Sequence, residues 1–217
     1  MTRSQAAVKR AIDIAVSASA ILLLTPLLTV LALLVVLLDK PPVIYSEVRS
    51  GRGRRAFTLY KFRTLRQEHC GAAVVGADDA RLTRVGVLLR RRHLDELPQL
   101  FNILRGDMSL VGPRPMKLEH AHALGSGDAE VIARVRPGLT GPDALVFLAE
   151  DEALAGYADA ESLYVSRVLP AKVACIVDYV NNHTLLADCV ILLKTAGVIF
   201  SPTSYKASRD TIRKLLR

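Results

Sequence analysis

Two adjacent carboxylates, Asp95 and Glu96, are the residues of this sequence best suited to chemistry on phosphates. They follow the basic run at 90–93 and precede Pro98. Cations around a carboxylate favour its charged form, so we expect both groups to keep low pKa values and to serve as nucleophile or metal ligand. Neighbours on a helix point about 100° apart, so the two carboxylates would act on one site from separate directions.

A divalent cation and a set of basic side chains are the expected partners of this pair. Mg²⁺ prefers oxygen ligands, keeps several waters and bridges to substrate phosphates, so we expect Asp95 and Glu96 to hold it. Basic side chains that flank the pair in sequence are suited to binding a phosphate or pyrophosphate. These candidates are Lys61, Arg63, Arg90 and Arg114. Taken alone, an acidic pair beside arginines is more often a salt-bridged surface, and that alternative stays open.

The charge of the chain indicates anionic partners. It has 217 residues with 29 Lys+Arg against 21 Asp+Glu, a formal net charge of +8. Nucleic acid, acidic lipid head groups and phosphorylated small molecules all fit that charge. Only 5% of the residues are aromatic and no nucleic-acid-binding motif is present, so we expect no nucleic acid. The three cysteines, Cys70, Cys175 and Cys189, are widely spaced, which favours a reducing compartment over a disulfide framework.

Residues 12–38 form a run of 27 whose one charge is Asp13, typical of a membrane element. At about 1.5 Å per residue, such a helix is long enough to cross a bilayer core of about 30 Å. Pro26, near the middle, is expected to kink or break that helix. Basic residues flank both ends of the run, and positive charge prefers the cytoplasmic side. We therefore predict a re-entrant helix-break-helix, with its bend at Thr25 and Pro26, over a single span.

The rest of the chain predicts short strands and helices. Strands are expected at 43–45 and 56–60 around a turn at 49–53, helices at 80–94 and 98–104, partly helical chain at 143–164, an apolar helix at 185–200 and an amphipathic tail at 208–217. We predict an α+β fold, mostly helical, with a re-entrant membrane helix at 1–40. A small cytosolic and interfacial catalytic domain, with a short β-hairpin and amphipathic helices that contact membrane lipids, is expected at 41–217.

Four blocks of sequence, in this order and spacing, carry a family resemblance. They are YKFRT at 60–64, DDARLTRVG at 78–86, LDELPQLFN at 94–102 and GDMSLVGPRP at 106–115. KRAID at 9–13 and RPGLTG at 136–141 extend the match. The chain resembles the monotopic phosphoglycosyl transferases, the bacterial sugar transferase family that begins glycan assembly on polyprenyl phosphate. The likeness is close over 9–142 and looser beyond.

This resemblance implies an activity and roles for the site residues. A sugar 1-phosphate would pass from a UDP-sugar to polyprenyl (undecaprenyl) phosphate in two steps that need Mg²⁺, with release of UMP. Asp95 matches the family's nucleophile, and Glu96 matches the second member of its dyad, for metal binding or for helping the lipid phosphate attack. Lys61, Arg90 and Arg114 fall on active-site positions. The resemblance also implies the cytoplasmic face of the bacterial inner membrane and a role in exopolysaccharide or glycoconjugate synthesis.

The segment after Gly141 departs from the family. Many members continue with a tryptophan and a Gly-Arg-Asn loop, whereas an acidic segment stands at 143–152 here. Ile176 replaces an aspartate that the family often carries three residues before a tyrosine, here Tyr179. We expect the missing contacts to come from Glu150, Asp151, Glu152 and Lys172. The sequence leaves the sugar open, and a homodimer remains one alternative for the oligomeric state. A catalytically silent membrane scaffold would have lost the dyad or the basic residues, and both are present.

Overall fold

The computed structural model describes residues 1–66, 79–155, 157, 159–199 and 202–216. Cys70 and Asp78, named above, lie outside the described residues. Within them the helices are α1 Arg3–Leu34, α2 Arg84–Arg91, α3 Gln99–Arg105, α4 Leu118–Ala123, α5 Ser126–Ile132, α6 Pro142–Val146, α7 Glu150–Leu154, α8 Ala160–Leu163, α9 Leu169–Asn182, α10 Leu185–Ile199 and α11 Pro202–Leu216. The strands are β1 Ile44–Ser50, β2 Ala56–Phe62, β3 Ser109–Val111 and β4 Gly138–Thr140. The prediction of a mostly helical fold with one short hairpin is confirmed.

Helix α1 has a strong start and runs through its proline. The Thr2 hydroxyl accepts from the Gln5 amide, and the Gln5 side chain accepts from the Thr2 amide at 2.9 Å, which together form a capping box. Pro26 lies inside the helix, which continues to Leu34 and then forms a π-helical turn to Asp39. The predicted break at Pro26 is therefore wrong. One proline removes one donor, and the Thr25 hydroxyl donates to the carbonyl of Ile21 at 2.7 Å beside it.

One face of α1 packs on the rest of the protein along almost the whole helix. Near its start, Asp13 accepts from the Leu110 amide at 3.0 Å, and Ser17 is buried. Ala20, Ile21 and Leu24 pack against the largest core, and Leu31 and Val35 are buried in a second core with Phe62 and Leu89. These contacts recur every three or four residues, the period of one helix face. The opposite face exposes large apolar side chains, with Leu22 and Leu23 exposed by 76% and 78%.

The apolar composition of α1 satisfies a simple test for membrane helices. Residues Arg3–Asp39 form the one single helix among the described residues that is long and apolar enough to cross a membrane. Two further helices, Leu185–Val198 and Thr203–Leu216, pass the same test only when they are taken together, and they are bent by 106° relative to each other. Both α1 and α10 expose large leucines, such as Leu22 on α1 and Leu186 and Leu193 on α10.

The predicted hairpin is present and carries the first site residue. β1 and β2 are antiparallel, with Tyr45 opposite Lys61 and Ser50 opposite Ala56. Asn102 of α3 joins this hairpin to the core, because its side-chain amide donates to Thr58 O at 2.7 Å and its carbonyl oxygen accepts from the Tyr60 amide. The hairpin and α3 are thereby fixed relative to each other.

A short parallel pair, which the sequence did not predict, joins two of the glycine-containing blocks. β3 and β4 pair through Ser109 with Gly138 and Val111 with Thr140. Each strand has three residues, too few for an alternating apolar pattern to be visible. Gly112, Gly138 and Gly141 lie close together beside strands β3 and β4. A Cβ atom at Gly138 would lie 2.1 Å from the Gly112 nitrogen. The backbones approach so closely that only glycine fits.

Replacing Gly138 with alanine is expected to lower the free energy of unfolding by about 1–3 kcal/mol, because the neighbouring backbone must move. Gly127→Ala is the matched control: it lies in α5 with nothing within 4 Å of the added carbon. There alanine should be neutral or stabilising by roughly 0.5–1 kcal/mol. Thermal unfolding of both variants in detergent measures the difference. Equal stabilities would contradict the close backbone approach.

Candidate active site

The carboxylate pair lies on a tight turn between two helices. α2 begins at Arg84, where the Thr83 hydroxyl accepts from the Gly86 amide at 2.9 Å. After α2 ends, His93 adopts a left-handed conformation with φ of 52°, which separates α2 from the turn that follows. Asp95 and Glu96 occupy the 3₁₀ turn that follows, and α3 begins just beyond Pro98. The pair is thus held by helices on both sides.

Asp95 is buried, and burial raises its pKa above the ordinary aspartate value. Lys61, Arg90 and Arg114 oppose this shift, whereas the neighbouring Glu96 adds to it. The expectation of a low pKa is therefore wrong for Asp95, because desolvation outweighs the attraction of the cations. Its carboxylate has no hydrogen-bond partner among the residues that the structure describes, so both of its oxygens are available to a ligand.

Glu96 has the opposite character, since cations occupy both of its oxygens. Lys61 Nζ lies 2.9 Å from Glu96 Oε1, and Arg114 donates to Oε2 at 3.2 Å and also to Oε1. Burial raises the pKa of Glu96, but the charges and hydrogen bonds of Arg114 and Lys61 together hold it well below the usual range. Glu96 therefore orders the two cations on one side of Asp95.

Arg90 reaches the site from α2 and meets the divergent acidic segment. Its guanidinium forms an ion pair of 2.7 Å with Asp151 at the start of α7. On the adjoining side, the buried Lys172 of α9 pairs with Glu150 at 2.6 Å. Two of the acidic residues expected to replace family contacts thus lie next to the site and pair with basic side chains there.

Arg63 is placed differently from the other predicted cations. Its guanidinium donates to the carbonyl oxygens of Asp39 at 2.6 Å and of Lys40, where α1 and its π-helical turn end. The side chain is buried there, and β2 has already ended at Phe62. Arg63 therefore secures the end of α1 and its π-helical turn, and the structure does not bring it into contact with the carboxylate pair.

Two further residues next to the site were not identified from the sequence. Asp143 is fully buried, and one of its oxygens accepts from the Arg114 amide at 3.1 Å. Tyr205 of α11 forms a hydrogen bond with His93 and stacks on its ring. No local pattern marks either residue, because Asp143 follows Pro142 as an ordinary helix start would and Tyr205 belongs to an amphipathic tail. Ile176, at the position of the family's aspartate, lies fully buried in the core.

The donor set is suited to Mg²⁺ mainly through Asp95. No group of three or more His, Cys, Asp or Glu side chains that could hold a metal occurs among the described residues. Mg²⁺ is commonly bound by one or two carboxylates together with water and substrate phosphates, so a cage made only of protein is not required. The unpartnered Asp95 carboxylate fits this pattern, whereas Glu96 has one lone pair left on Oε2 at most.

Comparison with known proteins finds relatives that match over most of the chain. A family model described as bacterial sugar transferase matches residues 4–202. The exopolysaccharide production protein PSS of Rhizobium leguminosarum bv. phaseoli is 36% identical over 201 residues, which cover 86% of this chain and 92% of that protein.

Two further relatives carry names that state a reaction. The UDP-glucose:undecaprenyl-phosphate glucose-1-phosphate transferase of Caulobacter vibrioides is 38% identical over 86% of this chain and 67% of its own length. The UDP-N-acetylgalactosamine-undecaprenyl-phosphate N-acetylgalactosaminephosphotransferase of Aeromonas hydrophila is 37% identical over 89% of this chain, and the chain spans 44% of its length. The match over residues 4–202, together with the carboxylate pair and its cations, shows that this chain belongs to the bacterial sugar transferase family.

Proposed function

We propose that this protein transfers a sugar 1-phosphate from a UDP-sugar to undecaprenyl phosphate, with Asp95 as the nucleophile. The observation that supports this most directly is the contrast within the pair. Asp95 is buried with an unpartnered carboxylate, while Glu96 is neutralised by Lys61 and Arg114. Such a site offers one free nucleophile surrounded by ordered cations, which is what transfer of a phosphate group requires.

The reaction proceeds in two displacements that return the enzyme to its starting state. In the first, an Asp95 oxygen bonds to the β-phosphorus of the UDP-sugar, and the bond between that phosphorus and the bridging oxygen breaks, releasing UMP. In the second, a phosphate oxygen of undecaprenyl phosphate attacks the same phosphorus, and the Asp95 carboxylate leaves. Lys61 and Arg114 balance the charge of the phosphate oxygens, and the positive charge of Arg90 also acts on the site.

Mg²⁺ would be held by Asp95, with the remaining lone pair of Glu96 as its second protein ligand. When bound, it would neutralise charge on the phosphates and, as a nearby cation, lower the pKa of Asp95. The residues themselves position the phosphates, keep Glu96 ionised and limit access of water to the buried Asp95.

The proposed location is the cytoplasmic face of the bacterial inner membrane. The apolar outer face of α1 supports membrane contact. From Asp13 to Val35, the inner face of the helix packs on the two cores described above. A helix bound along its length to the domain cannot pass straight through the bilayer and leave that domain behind. The proposed topology is therefore a re-entrant or shallow insertion, with the helix continuous through Pro26.

Single cysteines at residues 3 and 50 are expected to react with an impermeant maleimide from the same, cytoplasmic side of inverted vesicles. The three native cysteines, Cys70, Cys175 and Cys189, are first replaced by serine so that the two introduced sites alone report. Both basic flanks should stay inside, because positive charge prefers that side. Labelling of the two positions from opposite faces would show a spanning helix and would overturn the re-entrant topology.

The function is tested with purified protein, undecaprenyl phosphate and a panel of UDP-sugars. We expect one donor, or a few, to yield UMP and a lipid-linked diphosphosugar in the presence of Mg²⁺, and no product when the metal is chelated. The relatives named above act on glucose and on N-acetylgalactosamine donors, so both belong in the panel. Failure of every donor to release UMP would exclude the proposed reaction.

A further inference from the structure

A basic pocket lies at the far end of the hairpin from the carboxylate pair. It has a volume of about 560 Å³, is open to solvent, and is lined by Arg52, Arg55, Phe57, Gly106, Asp107 and Arg136. Ala56 also lines it, and Lys61 is five residues farther along β2, about 16 Å away at the rise of a strand. The pocket is therefore separate from the site of sugar-phosphate transfer.

The charges in this pocket are not balanced. Three arginines and one aspartate line it, and Arg10 of α1 lies against Gly106 from behind. Among the described residues, none of these arginines forms an ion pair, and Asp107 has only a long contact of 3.4 Å from the Asn102 side chain. Burial lowers the pKa of Arg136, and repulsion from Arg10 and Arg52 lowers it further. A bound anion would relieve this repulsion.

Helix capping explains some of these arginines but not all. Arg10 donates to the carbonyls of Ile103 and Leu104, and Arg136 Nε donates to Gly106 O at 2.8 Å, so both hold the end of α3. Arg52 and Arg55 have no side-chain hydrogen bond among the described residues, and both are exposed. Gly53 between them has φ of +67°, and its amide donates to Ala133 O at 2.8 Å, so the turn that carries the two arginines is fixed in place.

The surroundings of the pocket are apolar. Phe101 and Leu104 of α3, the helix that ends beside the pocket and packs on α1, expose large apolar side chains. The pocket thus lies where an apolar surface meets a basic one, as at the level of lipid phosphates. We propose that Arg52, Arg55 and Arg136 form a binding site for a phosphate-bearing anion, either the head group of an anionic phospholipid or a soluble phosphate compound.

The test compares two double variants of the full-length protein in neutral detergent. Arg52→Gln with Arg55→Gln removes two charges from the pocket, and Arg213→Gln with Lys214→Gln removes two from the exposed face of α11. The probes are phosphatidylglycerol, phosphatidylcholine and inorganic pyrophosphate. Modification of each arginine by phenylglyoxal, mapped by mass spectrometry, reports on the pocket itself and does not depend on transfer at Asp95.

In the wild type, phosphatidylglycerol or pyrophosphate should protect Arg52, Arg55 and Arg136, and phosphatidylcholine should not. The pocket variant should bind the protecting probe about tenfold more weakly, the effect of losing one charged hydrogen bond, while the α11 variant changes less than about twofold. Protection by phosphatidylglycerol alone assigns a head group, and protection by pyrophosphate alone assigns a soluble phosphate. Absence of protection by either probe, or equal weakening in both variants, would overturn the proposal.

Discussion

Asp95→Asn is expected to reduce the rate of sugar-phosphate transfer at least about a thousandfold, the largest effect predicted for this chain. The amide cannot form the bond to phosphorus, although it fills the same space. UMP release with the active donor measures the rate. Mass spectrometry of the wild type quenched during turnover should find one phosphosugar on Asp95, and the variant should carry none. An intact rate in the variant would remove Asp95 from the nucleophile's role.

The same variant has an internal check on folding. Burial raises the pKa of Asp95, so its ionisation costs stability above that pKa and costs nothing below the unfolded value of 3.8, where the carboxyl is neutral in both states. The Asp95→Asn variant should therefore unfold at the same or a higher temperature than wild type at pH 7, and this advantage should vanish in acid. Asp128→Asn on the exposed face of α5 is the matched control and should leave both rate and stability unchanged.

Glu96→Gln is expected to lower kcat/KM by about 10²–10³, comparable to removing one or two preorganised donors. The change leaves Lys61 and Arg114 without their shared carboxylate, so neither cation is held in place. Stability should fall as well, since two partly buried cations lose the carboxylate that they share. Initial rates across donor concentrations give kcat and KM separately, and Glu119→Gln, an exposed carboxylate on α4, serves as the control.

A double-mutant cycle separates positioning from general damage. If Glu96 acts by ordering Lys61, then Lys61→Gln should cost much less in the Glu96→Gln background than in the wild type. Effects that simply multiply would indicate that the two residues act independently, and the ion pair of 2.9 Å would then have no role in transfer.

Most of the site could be predicted because its residues occupy short blocks whose local structure is regular. Lys61 directly follows the strand predicted at 56–60, Asp95 and Glu96 precede the helix predicted at 98–104, and Arg114 lies in the block at 106–115. The structure brings all four together. The pKa of Asp95 could not be predicted in the same way. Charge along the sequence was visible, whereas the burial that outweighs it depends on how the helices pack.

Arg63 and Pro26 show two limits of local reasoning. In a strand, Arg63 would share a face with Lys61, but β2 ends at Phe62 and the alternation no longer applies. At Pro26, a kink and a complete break both follow from the same lost backbone hydrogen bond and steric clash, so the sequence around the proline does not distinguish them. Beyond the proline, Leu31 and Val35 pack into the second core, and this packing keeps the helix continuous. The residues around Pro26 do not reveal that packing, because its partners are distant in sequence.

The packing of α1 along the whole domain has a consequence for the order in which the protein is made. Lys9 donates to Val111 O, and its ion-pair partner Asp188 is 179 residues later in the chain. The ribosome therefore delivers the apolar helix long before its partners exist. The packing of the inner face of α1 is therefore completed only after Asp188 has emerged, so the core of the domain forms late in synthesis.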